Sequence, residues 1–522
     1  MEAVDQAERA VSEDAAPPRR GKSRLPRPLR IVSAYSRLAF RASYVRFTLP
    51  AITVVAAGLA LFELGRKSLW HDEAFSVAAA GGGWQQLLEL MATPEINMSL
   101  YHALLSVWLV LGTDEVTVRL LSAVFAVATV PVVYLLGRDL FSPRVGLTAA
   151  LFVALNAFVV QYAQEARSYA LVLFLASLST FLLIRALRQS SQRVWVGYAI
   201  VVALLPFAHL AAASIWIAHA LAIAIHEPRS SWRLVAVPIV GAAIASAPVL
   251  WVVATAAGRA IVWVPRTTVR GVADSWIALA GAGLPAGSLR LPGLTLVVLV
   301  LGLACLGALV TWLRGEAKQR WAAALIVLWL LVPVATLVGV SVVKPMYVPR
   351  YLLIVVPAVA LLASLGIWGI RHRGLRLLAL ASLVALSLLG LNNWYRHNPK
   401  PDWRAAAAHV LTRAGAEDRS VFIADWGVAL QYYARQTGAE DRVPTPLLPN
   451  LNYADPSFPT ALRELAIEAS SEHRIVWVFA AGRSVDPVVL GILAPFRELY
   501  EPRSTESFEL LTVTWFEPRV AP

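Results

Sequence analysis

Apolar runs of helical length recur through most of this chain and constrain it more than any other feature. Eleven follow one another: Phe47–Leu64, Thr117–Gly137, Val145–Gln161, Ser168–Ile184, Val194–Ala208, Ala211–Ile225, Leu234–Ala254, Leu291–Leu313, Trp321–Val342, Tyr351–Ile370 and Leu377–Leu391. A helix needs about 20 apolar residues to cross the hydrocarbon core, and the shorter runs approach that length. The composition agrees: 58% of the 522 residues are hydrophobic and 15% charged, against about 45–50% and about 25% in soluble domains. With a mean hydropathy of +0.62, a soluble enzyme, a disordered chain and a coiled coil are all excluded. The single cysteine, Cys305, rules out an internal disulfide and a cysteine-based metal site.

The net charge of +13 would suggest nucleic acid in a soluble protein. In a polytopic one, basic residues mark the cytoplasmic ends of spans instead, so no nucleic-acid partner is expected. Residues 1–46 are polar, with nine Lys/Arg and no acid from Ala15 to Arg46, and read as a disordered tail beside anionic lipid. One further apolar stretch, Ser99–Gly112, has only 14 residues and is predicted to lie along the interface. With it outside the membrane core, five loops hold thirteen Lys/Arg in fewer than forty residues: Arg138–Arg144, Arg185–Arg193, His226–Arg233, Arg314–Arg320 and Arg371–Arg376. The positive-inside rule places these loops in the cytoplasm. It gives eleven spans in the plasma (inner) membrane, a cytoplasmic amino terminus and an outer carboxyl terminus. The spanning region is taken as 47–391, with its first outer loop at 65–116.

Residues 392–522 have mixed charge and no spanning run. Asp402–Arg413 reads as a helix, and Ser420–Ala424, Ile475–Ala480 and Phe508–Phe516 read as strands. The fold class is therefore mainly α, a polytopic membrane protein with a soluble α/β domain on the outer side.

Polar groups collect on that outer side. The first loop carries Trp70, His71, Asp72 and Glu73, then Glu95, Tyr101 and His102; the second carries Glu165 and Arg167; the fifth carries Lys344, Tyr347, Arg350 and Tyr351. A carboxylate near a hydroxyl can act as general base, and Arg or Lys can hold a phosphate as charge grows on it. Together these groups describe glycosyl transfer from a lipid phosphate.

The motifs W-H-D-E-A, L-Y-H-A-L-L leading to T-D-E-V-T-V-R-L-L-S, Y-A-Q-E-A-R-S-Y-A-L and K-P-M-Y-V-P-R-Y-L-L occur in order over Phe47 to about Leu391. In them the chain resembles the GT-C membrane glycosyltransferases, in particular the branch akin to protein O-mannosyltransferases and the lipid A aminoarabinose transferase. The resemblance implies an inverting transferase that moves a sugar (mannose or another hexose or pentose) from a polyprenyl-phosphate donor to an envelope glycolipid, polysaccharide or protein. It implicates Asp72 first and Glu73 second as the catalytic acids. Lys344 and Arg350, with Tyr347 and Tyr351, would bind the donor phosphate, and His71, Tyr101, His102, Glu165 and Arg167 would line the pocket.

Alternatives stay beside this reading. Asp72 and Glu73 would also be favoured at a helix start by the helix dipole alone, and Lys344 and Arg350 could be snorkelling anchors. A divalent ion at His71 with Asp72, or at His102 with Glu95, is open, although no spacing is a metal signature. A transporter or flippase of lipid-linked saccharides is the competing function. It expects ionisable groups spread through the midplane, whereas these spans are nearly free of charge. The 392–522 domain is expected to tune acceptor choice, with all the chemistry lying before it.

Overall fold

The computed structural model describes residues 45–519 apart from 190, 226–230, 261–263, 265, 285–290, 398, 424–426, 449–456 and 482–486. The chain divides into two compact units, 1–48 and 49–522, and the second holds the sheet, the candidate site and every helix except the start of the first. The predicted basic tail lies outside the described residues apart from its last two.

Every predicted apolar run carries helix. Among the described residues, six helices are long and apolar enough to cross a membrane: Glu115–Leu140, Tyr169–Gln189, Leu291–Arg314, Ala317–Val343, Pro349–Gly369 and Arg373–His397. Shorter apolar helices occupy Val45–Leu61, Gln192–Ala208, Leu210–Ile225 and Val235–Ala245. The run Leu234–Ala254 is not one helix but two, Ser231–Ala245 and Ala247–Ala260. Pro248 accounts for the break, because it has no N–H to continue the ladder. Ser99–Trp108 has ten helical residues, about 15 Å at 1.5 Å per residue, or half the hydrocarbon thickness.

Small residues set the closest helix contacts. A Cβ on Gly137 would sit 2.5 Å from the Gly146 Cα, and one on Gly366 would sit 2.0 Å from the Leu303 carbonyl oxygen. Backbone packs on backbone at both crossings, as in membranes where dispersion replaces the hydrophobic effect between helices.

The bent pair Pro143–Leu155 and Ala157–Ala163 turns by 59° at Asn156. The Asn156 carboxamide oxygen accepts from the N–H groups of Phe158 and Val159 at 3.0 and 3.2 Å, and its NH2 donates to the Leu279 carbonyl at 3.0 Å. This cap restarts the helix in a new direction and delivers the 164–168 loop to the end of the bundle where the first loop lies. Gln164 then ties that end together. Its Nε2 donates to the carbonyls of Ala60 and Phe62, and its Oε1 accepts from the Trp394 indole at 2.9 Å.

The last spanning helix runs on to His397, past the predicted boundary at 392. Beyond it a five-stranded sheet has the order β2-β1-β3-β5-β4, with β1 Arg419–Ile423, β2 Thr445–Pro446, β3 Val476–Ala481, β4 Tyr500–Phe508 and β5 Leu511–Pro518. β2, β1 and β3 are parallel, while β5 and β4 form an antiparallel hairpin. The predicted strand Phe508–Phe516 is therefore two strands, split at Glu509-Leu510, where Leu510 takes a φ of 54°. β4 escaped the pattern because it is a largely polar, exposed edge strand. The predicted helix is Trp403–Leu411, capped by Asp402 on the Ala405 N–H.

The sheet and the first loop share one apolar core. Leu69, Ala74, Val77, Val118 and Ala166 from the membrane part pack with Trp403, Leu430, Tyr433, Trp477 and Phe479.

Candidate active site

The helix His71–Gly81 begins directly after Trp70, so Asp72 and Glu73 both lie in its first turn, where the helix dipole favours negative charge. Adjacent helical side chains diverge by about 100°, and the two acids enter different surroundings.

Glu73 faces inward and is fully buried. Arg119 grips it with both arms of its fork, Nε to Oε1 at 2.7 Å and Nη2 to Oε2 at 2.8 Å. The Ala166 N–H donates to Oε1 at 3.0 Å, and the Lys400 ammonium donates to Oε2 at 3.1 Å. Burial pushes the Glu73 carboxyl up, but Arg119 and Lys400 outweigh it and hold the carboxyl down at about 2. Arg119 itself donates to the carbonyls of Leu64, Lys67 and Ser68, at 2.8, 2.7 and 3.0 Å, so all five of its N–H groups are used. The first loop is folded around this guanidinium. The catalytic role that the resemblance implies second for Glu73 thus meets a carboxylate already engaged on both oxygens.

Asp72 faces two guanidiniums. Its Oδ2 is 3.4 Å from Arg350 Nη1 and 3.9 Å from Arg167 Nε. That oxygen is buried, yet no described group donates a hydrogen bond to it. Burial raises the carboxyl, and the two guanidiniums more than offset this, so Asp72 stays below its ordinary value and ionised.

The remaining groups surround this carboxylate. Arg167 donates from Nη1 to the Asp72 carbonyl and to Ser76 Oγ, each at 3.2 Å. Arg350 lies 5.8 Å from the Trp70 ring and 5.7 Å from that of Tyr169, within cation–π range. Tyr351 packs on His209 with ring centroids 4.5 Å apart. Glu165 is buried 3.3 Å from Lys400; burial raises its carboxyl, Lys400 opposes the rise, and Glu73 adds to it. Glu95, within electrostatic reach of Arg167, Asp72 and His71, is also raised by burial.

Other predicted residues lie further out. Tyr101 bonds Ser122 at 2.9 Å, and Ser122 donates to the Arg167 carbonyl, so Tyr101 supports the second loop from behind. His102 is buried beside it, and that burial lowers its imidazole to about 3. His71 opens the helix that carries both acids. Tyr347 points to Ser275 at 2.9 Å. Lys344 is half-buried and makes no ion pair among the described residues. Among the described residues, no three His, Cys, Asp or Glu side chains converge on a point that would hold a metal ion.

Two residues essential to this arrangement escaped the sequence reading. Arg119 sits within the quoted T-D-E-V-T-V-R-L-L-S motif, and a charge one turn into an apolar run was the available signal. Lys400 comes from beyond the last span, and no local pattern marks it.

The helical bundle, with an ionised aspartate among arginines at one end, is similar in fold to the solved structures of ArnT and of the archaeal oligosaccharyltransferase AglB. ArnT from Cupriavidus metallidurans, in the apo state, is similar at a TM-score of 0.57 and 11% identity, covering 91% of this chain and 98% of that one. Its undecaprenyl phosphate-bound form matches at 0.57, with 90% and 97% covered. The archaeal oligosaccharyltransferase AglB from Archaeoglobus fulgidus, in complex with an inhibitory peptide and a dolichol-phosphate, matches at 0.57 and 13% identity, with 90% and 74% covered.

Residues 97–253 match the family model for dolichyl-phosphate-mannose-protein mannosyltransferases. The family match covers that stretch alone, and the likeness to the solved structures is one of fold. The matched stretch includes Arg119, Glu165 and Arg167 but neither Asp72 nor Arg350. No curated protein matches the chain by sequence.

Proposed function

We propose that the chain moves a sugar from a polyprenyl-phosphate donor to a hydroxyl of an envelope acceptor, with inversion at the anomeric carbon, on the outer face of the membrane. One observation carries this reading: a buried, ionised oxygen of Asp72 that accepts no hydrogen bond from a described group, held in the field of Arg167 and Arg350. Such an acceptor suits the proton of an incoming hydroxyl. As the acceptor oxygen bonds to the anomeric carbon, its proton passes to Asp72 and the bond from that carbon to the phosphate oxygen breaks. The polyprenyl phosphate departs as an anion. Arg350, with Lys344 six residues before it, neutralises the charge that grows there.

The undecaprenyl phosphate bound to ArnT and the dolichol-phosphate bound to AglB support the donor class. Glu73 serves through Arg119 and Lys400, holding the turn that aims Asp72. Mannose or another hexose or pentose fits this scheme equally.

The test is single-turnover transfer in nanodiscs from a panel of polyprenyl-phosphate sugars, with donor binding measured separately. The wild type should transfer one of them, and Asp72→Asn should bind that donor without transferring it. Movement of donor across the bilayer with no transfer product would overturn the proposal in favour of a transporter.

A further inference from the structure

A polar cavity, of about 140 Å³, opens where the last long apolar helix meets the sheet domain. Arg66, Lys67, Arg396, Lys400 and Arg404 line it, facing only Asp402 and Glu509 among acids. Neither Asp72, Arg350 nor Tyr351 lines it, so it is distinct from the surroundings of Asp72. Lys400 lines it and has its ammonium on Glu73 and Glu165.

The cationic groups are held in place by contacts that leave the cavity side polar. Arg66 donates to the Tyr395 carbonyl at 3.3 Å and pairs with Glu63. Arg404 donates to the Gly65 carbonyl at 2.8 Å and pairs with Glu115. The Lys67 ammonium donates to the Trp394 carbonyl at 3.0 Å and lies 3.4 Å from the centre of the Trp394 ring. Arg396 is exposed and makes no hydrogen bond or ion pair among the described residues. One of the two acids is already committed, since Asp402 caps the Trp403–Leu411 helix. Trp394 and Tyr395 stand at the end of a spanning helix, where aromatic side chains mark the membrane interface.

We propose that this cavity is an anion site that takes a phosphate group at the membrane interface. Its source is either the headgroup of an anionic phospholipid or a phosphate carried by a water-soluble ligand. The volume suits one tetrahedral anion with a few waters, and guanidinium forks match phosphate oxygens. The site stands independently of the transfer reaction, because binding is measured without turnover.

Lys67 adds a signature to the geometry. Burial lowers its ammonium to about 7, with Lys400, Arg66 and Arg119 adding to the fall and Glu165 opposing it; Arg396, Arg404, Asp402 and Glu509 share the same walls. A bound anion favours the charged amine, so binding should take up a proton near neutral pH and weaken as pH rises above about 7.

The experiment uses the full chain in nanodiscs. Inorganic phosphate is titrated calorimetrically in two buffers of different ionisation enthalpy, in the wild type and in an Arg350→Ala background that disables the proposed donor site. Separately, native mass spectrometry counts phosphatidylglycerol retained from discs that mix it with phosphatidylcholine. The test variant is Lys67→Met with Arg396→Gln, and Arg463→Gln on the outer domain is the control for lost charge. The expected result is one bound phosphate or one retained phosphatidylglycerol, surviving Arg350→Ala and Arg463→Gln and weakened about tenfold or more by the double variant. Retention of lipid without phosphate binding assigns a headgroup; phosphate binding assigns a soluble source. No binding of either, or binding equal in the double variant and the wild type, overturns the proposal.

Discussion

Asp72 and Glu73 are consecutive in the chain, yet one carboxylate is closed in a two-armed ion pair with Arg119 and the other lies 3.4 Å from Arg350 with a buried oxygen that no described group bonds. The same chemical group thus has two surroundings, set by what each oxygen meets. Glu73 holds the loop, and in the proposed reaction Asp72 takes the acceptor's proton.

Asp72→Asn keeps size and hydrogen bonding but removes the base. General-base assistance contributes about 10²–10⁴-fold, so single-turnover transfer should slow by about that factor while donor affinity is nearly kept. Wild-type turnover in this variant, measured by product formation in nanodiscs, would remove the first loop from the chemistry.

Glu73→Gln should act on folding. Removing one partner of a buried ion pair typically costs about 3–5 kcal/mol, because the other charge is left uncompensated. Thermal unfolding in detergent should show the loss, and Arg119→Met should show a similar one. The pH dependence has a definite sign. The Glu73 carboxyl is held at about 2 against an ordinary 4.5. Its contribution is complete above about 4.5 and lost as pH falls towards 2. The Gln variant should lack this acid limb; an unchanged limb would assign it to other carboxyls.

Arg350→Lys should weaken donor use and Arg350→Ala should weaken it more, since Lys lacks the planar fork that meets phosphate oxygens. A charge-assisted hydrogen bond contributes about 1.5–3 kcal/mol, so a tenfold to hundredfold loss in donor kcat/KM is expected for Ala. Unchanged donor kinetics would take Arg350 out of the phosphate site.

A domain that only tunes acceptor choice could be deleted, as residues 399–522, with slow donor hydrolysis spared; the packing argues otherwise. Ser68 donates to the Pro401 carbonyl and accepts from the Trp403 N–H, the Leu69 N–H donates to the Tyr433 hydroxyl, and Lys400 reaches Glu73. Truncation strips the first loop of this cover and leaves Leu69, Ala74 and Val77 exposed. The truncated protein should aggregate or lose hydrolysis together with transfer, as size-exclusion profiles and donor hydrolysis would show. A monodisperse, hydrolysing truncation would restore the view of a separate acceptor domain.

The sidedness expected from loop charge is open to labelling. In a Cys305→Ala background, a cysteine at the exposed Gln319 should resist membrane-impermeant maleimide added outside, and one at the exposed Ser507 should react. Outside labelling of Gln319→Cys would overturn the orientation.

Local pattern along the chain was enough to locate the apolar helices and the loops that carry Asp72, Glu165 and Arg350. A run of apolar residues partitions into lipid wherever it occurs, and a charge beside it is expelled to the nearer surface. What each acid meets was decided by the folded chain alone. Arg119 meets Glu73 across 46 residues and Lys400 meets it across 327, and no window along the chain contains such pairs. A buried carboxylate is claimed by whichever cations the fold carries to it, because an unpaired charge in that interior would be too costly to keep. Asp72, about 100° round the same turn, meets Arg350 and Arg167 at 3.4 and 3.9 Å instead, and its Oδ2 accepts no hydrogen bond from a described group.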